Sequence, residues 1–309
     1  MTNPTVHILV GVHNGLDYTK NLMKCLQKQS YTNFETLIVD DGSTDGTSQY
    51  LGEHHPNVSV LKGDGNLWWT GSLHAGIKQI LTVSKEGDLV LTINNDCTFK
   101  SDYIETLVRL SQQLGRPIIG SLALDASNRK KIWDGGVSIN WKRASFHAKP
   151  HKTIDDLSDG TTFDDTIDTL TTKGTIYPIE VFAKIGNFNK DSLPHYLSDY
   201  EFACRAKKAG YRLVLSYEAI VYNDTVRTGL GDNLPKVLSY RQFWQLLFSR
   251  KSRLNIVDHY QFIRLCGPKK YKLLNYGFLA LKFFYLLSFT IPFVVFRPIV
   301  VKFRQLIMD

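Results

Sequence analysis

Cysteine is scarce in this 309-residue chain: only Cys25, Cys97, Cys204 and Cys266 occur, and none sits in a C-x-x-C pair. Such spacing reads as four reduced thiols of a cytosolic protein rather than a disulfide framework. No repeat period and no low-complexity stretch is present, which excludes solenoids and biased linkers. No secretory signal precedes Val6–Val12, a run that already reads as core. Long apolar runs are missing too. The uninterrupted stretch from Phe283 to Phe296 is too short to cross a bilayer upright, which takes about 20 residues. What is present is ordinary globular material, 43% hydrophobic and 21% charged. The length allows one large α/β domain plus an appendage.

Charge is divided unevenly along the chain. Residues 1–234 hold 24 Lys and Arg against 27 Asp and Glu, whereas residues 235–309 hold 13 against 2. A mildly acidic body over residues 1–230 therefore precedes a basic, apolar helical tail over 231–309. The tail mixes its cations with Trp244, Tyr260, Tyr271, Phe283 and Phe284. That mixture suits nucleic acid or an anionic bilayer, and the apolar runs favour the bilayer and no nucleic acid. Leu273–Phe296 is broken by Lys282 and Pro292 and flanked by Lys269, Lys270, Lys272, Arg297, Lys302 and Arg304. It could span only if Lys282 snorkelled, and it fits an interfacial helix better. The plainer alternative is a buried helix pair closing the domain. The expected location is cytoplasmic, peripheral to the inner face of the cell membrane.

The first third alternates strand and helix patterns. Apolar runs at Val6–Val12, Phe34–Val39, Val58–Leu61, Asp88–Ile93 and Ile118–Leu122 are separated by helical spacing at Leu16–Gln29, Asp45–Leu51, Gly71–Val83 and Ser101–Leu114. This predicts β-α-β units and a doubly wound, mostly parallel sheet. Ligands of such sheets sit outside the carboxyl ends of the strands. The polar clusters fall at those ends: His13-Asn14, Asp40-Asp41 and Asn94-Asn95-Asp96. Residues 150–171, rich in Asp, Thr and Ser, read as a mobile loop or lid. Helices are expected over Pro178–Ile185 and Asp199–Ala209, then extended chain at Arg212–Ser216 and Ala219–Tyr222.

Each cluster has two readings. Asp96 follows an apolar strand directly, and Asn94 projects to the same face because strand side chains alternate. The pair could meet a metal and a ribose, or simply form a strand-ending turn. Asp40 and Asp41 could bind a ligand or cap the next helix, a task Ser43 or Thr44 could perform alone. Asp199 opens a helix, where the dipole favours its ionised form, so it could be a general base or an N-terminal cap. Glu201 and Arg205 stand four apart and can pair. Around Asn66, the G-x-G spacing fails the dinucleotide pattern. The helix start at Thr70-Gly71 could meet phosphate oxygens. Trp68 and Trp69 could line a donor sugar or pack that helix to the sheet.

Together these clusters resemble glycosyltransferase family 2, with its A-type fold, over about residues 5–225. The likeness is nearest to the bacterial branch that includes rhamnosyltransferases. Val39-Asp-Asp-Gly-Ser-Thr-Asp-Gly46 is similar to the family's nucleotide-binding signature. Asn94-Asn95-Asp96 stands at its D-x-D motif, and Ser198-Asp-Tyr-Glu-Phe-Ala-Cys-Arg205 at its E-D-x-[DE]-L-x-x-R motif. The resemblance implies inverting transfer of a sugar from a dTDP- or UDP-sugar to a glycan or lipid-linked acceptor in surface polysaccharide assembly. His13, Asn14, Asp40, Asp41, Asn66, Trp69 and Asn94 would bind the donor. Asp96, with Asn223 where the family often has His, would hold Mg²⁺ or Mn²⁺. Asp199 would deprotonate the acceptor, steadied by Glu201 and Arg205. Trp133 and Gly174 would lie on the acceptor side. Several positions depart from the family pattern: Asn94 replaces the first acid of D-x-D, Ser198 replaces Glu, Trp68 replaces Gly and His74 replaces Asn. Loss of that first acid leaves room for a catalytically inactive nucleotide-sugar-binding membrane adaptor.

Overall fold

The computed structural model describes residues 3–149, 151–157, 160–224 and 239–288. The expected boundary at 230/231 lies outside these residues, as do Asp159, Pro292, Phe293, Phe296, Arg297, Lys302 and Arg304. The elements in chain order are β1 Val6–Val12, α1 Leu16–Leu26, β2 Phe34–Asp40, α2 Thr47–His54, β3 Ser59–Lys62, α3 Trp68–Ile80 and β4 Leu89–Thr92. Next come β5 Cys97–Thr98, α4 Tyr103–Gln113, β6 Ile118–Asp125, β7 Ile132–Asp134, β8 Val137–Asn140, β9 Ser145–Ala148 and β10 Phe163–Asp164. The rest are β11 Thr175–Pro178, α5 Glu180–Ile185, α6 Ser198–Lys208, β12 Leu213–Asn223, α7 Tyr240–Phe248, α8 Ile256–Cys266 and α9 Lys272–Ser288.

The chain divides into two compact units. One comprises residues 1–139, 146–194 and 198–226; the other comprises 140–145, 195–197 and 227–309. The first is built on a sheet of order β10-β12-β6-β11-β4-β1-β2-β3. β1 pairs in parallel with β2 and β4, β2 with β3, and β6 with β12. β11 runs antiparallel to both β4 and β6, and β10, β5 and β7 also pair antiparallel, with β12, β12 and β6. β1 and β6 are buried along their whole length, because helices cover both faces. One face packs Leu22, Met23, Ile104 and Leu107 against Ile8, Val10 and Ile119. The other packs Leu73, Ile77, Phe182 and Phe202 against Leu9, Val90 and Leu213.

Three expectations need correction. The helix after Asp41 starts at Thr47, not Asp45, and Gly46 precedes it at φ 87 with no side-chain cap. Ser43 and Thr44 bond Asn14 instead. The helix read as beginning at Gly71 begins at Trp68. The stretch read as a lid contains structured chain. Ile167 and Leu170 are core residues, while Asp164, Asp165 and Asp168 pair with Lys149, Arg212 and Lys207. In addition, the two extended pieces after Gly210 form one strand, β12, with an irregularity between Ser216 and Ile220.

In the second unit, Phe243, Leu247 and Leu286 form a small core, and Trp141 stacks on Phe262. Helix α7 starts with a Ser239–Gln242 capping box, and Asn255 caps α8. Lys282 faces His259 at 3.5 Å. Among the described residues, no helix is long and apolar enough to cross a membrane.

Candidate active site

The parallel register sets the site. Val12 at the end of β1 lies beside Asp40 at the end of β2, and Thr92 closes β4 opposite Leu9, so that the chain after it, Ile93–Asp96, runs on toward the same edge. Because β11 is antiparallel, its beginning meets that same rim: Thr175 pairs with Thr92. β12 brings Asn223 opposite Cys97, directly after Asp96. Residues far apart in the chain thus reach one edge.

The loops after β1 and β2 are laced together. Asn14, at φ 50, accepts hydrogen bonds from the backbone and hydroxyl of Thr44. His13 Nδ1 lies 2.6 Å from the Asp41 carbonyl, and its Nε2 lies 3.2 Å from Asn14 Nδ2. A proton on Nδ1 satisfies both contacts. Asp40 is buried; its carboxylate accepts from Ser43 N at 2.9 Å and from the Ser48 hydroxyl. Asp41, also buried, accepts from Gly65 N at 2.8 Å and Trp68 N at 3.0 Å. Asp41 therefore sits at the start of α3, where it takes up the Trp68 amide that the first helical turn leaves without a partner. The amide of Thr70 is taken by the Pro194 carbonyl and that of Gly71 by Leu67, so neither is open to phosphate as the sequence had implied. Asn66 is exposed, and its backbone N–H bonds Asp64. Trp69 packs beside Gly11 and donates its indole N–H to Thr172 at 3.1 Å. These contacts hold the first turn of α3 against β1 and the Thr172 turn.

Asp96 is half-buried, and Asn223 donates to it at 3.2 Å. Burial pushes its carboxyl above the usual range, against the pull of Lys173 and the Asn223 bond. Two neighbouring amide oxygens, Asn94 Oδ1 and Asn223 Oδ1, are buried without a hydrogen-bond partner. Orphaned oxygens beside a carboxylate fit a hard divalent cation, which takes oxygen ligands. Among the described residues, no three His, Cys, Asp or Glu side chains are placed to hold one metal ion, so this donor set is one carboxylate with two amides.

Asp199 lies in the first turn of α6. One of its oxygens accepts from Tyr200 N at 2.9 Å. Burial lifts its pKa to about 6; the Asp134 charge adds to the rise and Lys173 opposes it. A carboxylate of that basicity is suited to taking a proton near neutral pH. Glu201 and Arg205 form a two-pronged pair at 2.8 and 3.0 Å. Arg205 also bonds the carbonyls of Ile185 and Asn187. The pair thus clamps the α5–α6 connection, and Arg205 does not contact the Asp199 carboxylate.

Gly174 adopts φ 80, and a Cβ there would collide with Tyr103 Oη. Its carbonyl accepts from Ser121 N and Oγ at 3.0 and 2.6 Å. Trp133 lies under Lys173, whose Nζ is 5.9 Å from the ring centroid. Two residues that sequence reasoning passed over enter the site here. Lys173 acts electrostatically on both Asp96 and Asp199, and Asp134 acts on Asp199. The available signal was their adjacency to Gly174 and Trp133; missing was the direction of β11.

An open α/β sheet with carboxylates gathered at its carboxyl rim has its candidate site where sheets of this kind place ligands, outside the carboxyl ends of the strands. The sequence model of Glycosyl transferase family 2 matches residues 7–168, and the chain belongs to that family. Solved structures share its fold. The mannosyltransferase PcManGT from Pyrobaculum calidifontis, in complex with GDP-Man and Mn²⁺, superposes with TM-score 0.56 at 14% identity, covering 93% of this chain and 73% of that one. S. aureus TarS 1-349 gives 0.55 at 18%, covering 97% and 91%. The fold is thus the A-type glycosyltransferase fold with a helical C-terminal region. Among curated relatives, EpsH of Bacillus subtilis is 24% identical over 145 residues, covering 46% of this chain and 40% of its own length. Glycosyltransferase AglE of Haloferax volcanii is 23% identical over 124 residues, covering 38% and 39%. The matches therefore span less than half of those relatives.

Proposed function

We propose that the chain is an inverting glycosyltransferase that moves a sugar from a nucleoside-diphosphate sugar to an acceptor hydroxyl. The observation that carries this is Asp199, a carboxylate raised to about 6 at the rim that also carries Asp96. Asp199 takes the proton of the acceptor hydroxyl; that oxygen attacks the anomeric carbon as the bond to diphosphate breaks, and the configuration inverts. Asp96 and the amide oxygens of Asn94 and Asn223 would hold Mg²⁺ or Mn²⁺. A cation bound there offsets charge on the diphosphate. His13, Asn14, Asp40, Asp41, Asn66 and Trp69 frame the donor, with Asp40, Asp41 and Trp69 shaping its walls through the bonds described above. Trp133 and Gly174 frame the acceptor side.

The donor is a dTDP- or UDP-sugar, with hexose or rhamnose as the group moved, and the acceptor is a lipid-linked or growing surface glycan. Residues 1–230 are the catalytic domain. Residues 231–309 rest peripherally on the anionic inner face of the cell membrane. The basic excess there and the exposure of Tyr240, Phe248, Leu273 and Phe284 support that placement. Calorimetric titration of UDP, dTDP and GDP with Mn²⁺ or EDTA tests the metal assignment. One nucleotide should bind more tightly with Mn²⁺, and Asp96→Ala should abolish that gain. Equal metal dependence in Asp96→Ala would remove Asp96 from the metal site.

A further inference from the structure

Three carboxylates share the rim: Asp96, Asp134 and Asp199. Each has hydrogen-bond donors, but among the described residues none has a cation within 4 Å. Lys173 is the ammonium that acts on both Asp96 and Asp199, yet it pairs directly with neither. The turn that carries it is pinned on every side. Thr171 donates to Asp134 at 2.8 Å, Thr172 accepts from Trp69 at 3.1 Å, and Gly174 donates to the Thr92 carbonyl at 3.0 Å. The ammonium itself stands over the Trp133 ring. A half-buried cation on a turn held by this much structure, acting on carboxylates that it does not touch, is placed to meet an anion at that rim.

The metal position also lacks one charge, since Asn94 stands where a second acid would add to Asp96. A donor diphosphate carries more negative charge than that depleted site compensates. We propose that Lys173 is the second countercharge for the donor diphosphate, its ammonium bonding a phosphate oxygen of the bound nucleotide. As the sugar–oxygen bond breaks and its electron pair passes to the diphosphate, the Lys173 side chain stabilises the added charge. This assignment rests on the donor-binding reading above.

The test compares UDP, dTDP and GDP with their free nucleosides on the wild type, Lys173→Gln and Lys173→Arg. Lys173→Gln should weaken the bound diphosphate about ten-fold or more, the worth of a charged phosphate contact, and leave the nucleoside unchanged. It should also raise the Mn²⁺ concentration needed for half-maximal turnover, and Lys173→Arg should restore binding. Unchanged diphosphate affinity, or a loss confined to the KM of the acceptor, overturns the proposal. If Lys173→Gln does not fold, wild-type protein with ¹³C-dimethylated lysines gives the same answer. The resonance missing in Lys173→Arg should move with nucleoside diphosphate and stay still with nucleoside; a still resonance overturns the proposal. Failure of the wild type to bind any nucleotide overturns the donor reading itself, and this inference with it.

Discussion

Replacing Asp199 by Asn should cost activity and raise stability together. The carboxyl titrates near 6 in the folded protein against an ordinary value of 3.8. A group whose folded pKa is raised binds its proton more tightly folded than unfolded, so stability falls as pH rises from about 4 to about 6. The full difference corresponds to about 3 kcal/mol above that window. Asp199 is half-buried, and solvent screening reduces the figure to about 1–2 kcal/mol. Asparagine keeps the shape without the charge. At pH 7.5, Asp199→Asn should melt about 3 °C above the wild type, and the gap should close below about pH 4, where both are neutral. Turnover should fall about 10²–10⁴-fold, the range for loss of a general base. The wild-type rate should rise with pH through about 6 as the base ionises. Thermal melts across pH, beside initial rates, read both effects. Equal melting at pH 7.5 with near-normal turnover would refute the burial argument and the base assignment at once.

Other sites give separate expectations. Asp41→Ala strips the acceptor from the Gly65 and Trp68 amides and should cost about 2–4 kcal/mol in denaturant unfolding. Arg205→Ala leaves the buried Glu201 carboxylate alone and should cost about 3 kcal/mol, with Arg205→Lys recovering only part because the two-pronged contact is lost. Gly174→Ala adds a Cβ against Tyr103, Ser121 and Val221 at a positive φ, and should lower the melting temperature by several degrees. A wild-type melt for any of these three would contradict the contact on which it rests.

The rim was legible because it is local. Apolar runs ended at Val12, Val39 and Ile93, and the polar residues after them had to face outward. The Glu201–Arg205 pair was legible from its spacing of four. What escaped depended on distant partners. The start of α3 is drawn back to Trp68 by Asp41, 27 residues away. The acids of the supposed lid looked solvated because their cations, Lys149, Lys207 and Arg212, lie elsewhere in the sequence. β11 is four residues long and ends at Pro178, the residue from which the sequence pattern predicts a helix. Its antiparallel course brings Lys173 and Gly174 to the rim, and no local pattern states that direction.

Sugar transfer driven by Asp199 is the central claim, and donor turnover tests it most directly. Purified protein would be given UDP-, dTDP- and GDP-sugars with Mg²⁺ or Mn²⁺ and lipid-linked acceptors, beside Asp199→Asn. The account predicts turnover of one donor class, with the anomeric configuration inverted in the product and the activity lost in a folded Asp199→Asn. Nucleotide binding without turnover of any donor would support an inactive adaptor, and full activity in Asp199→Asn would contradict the account.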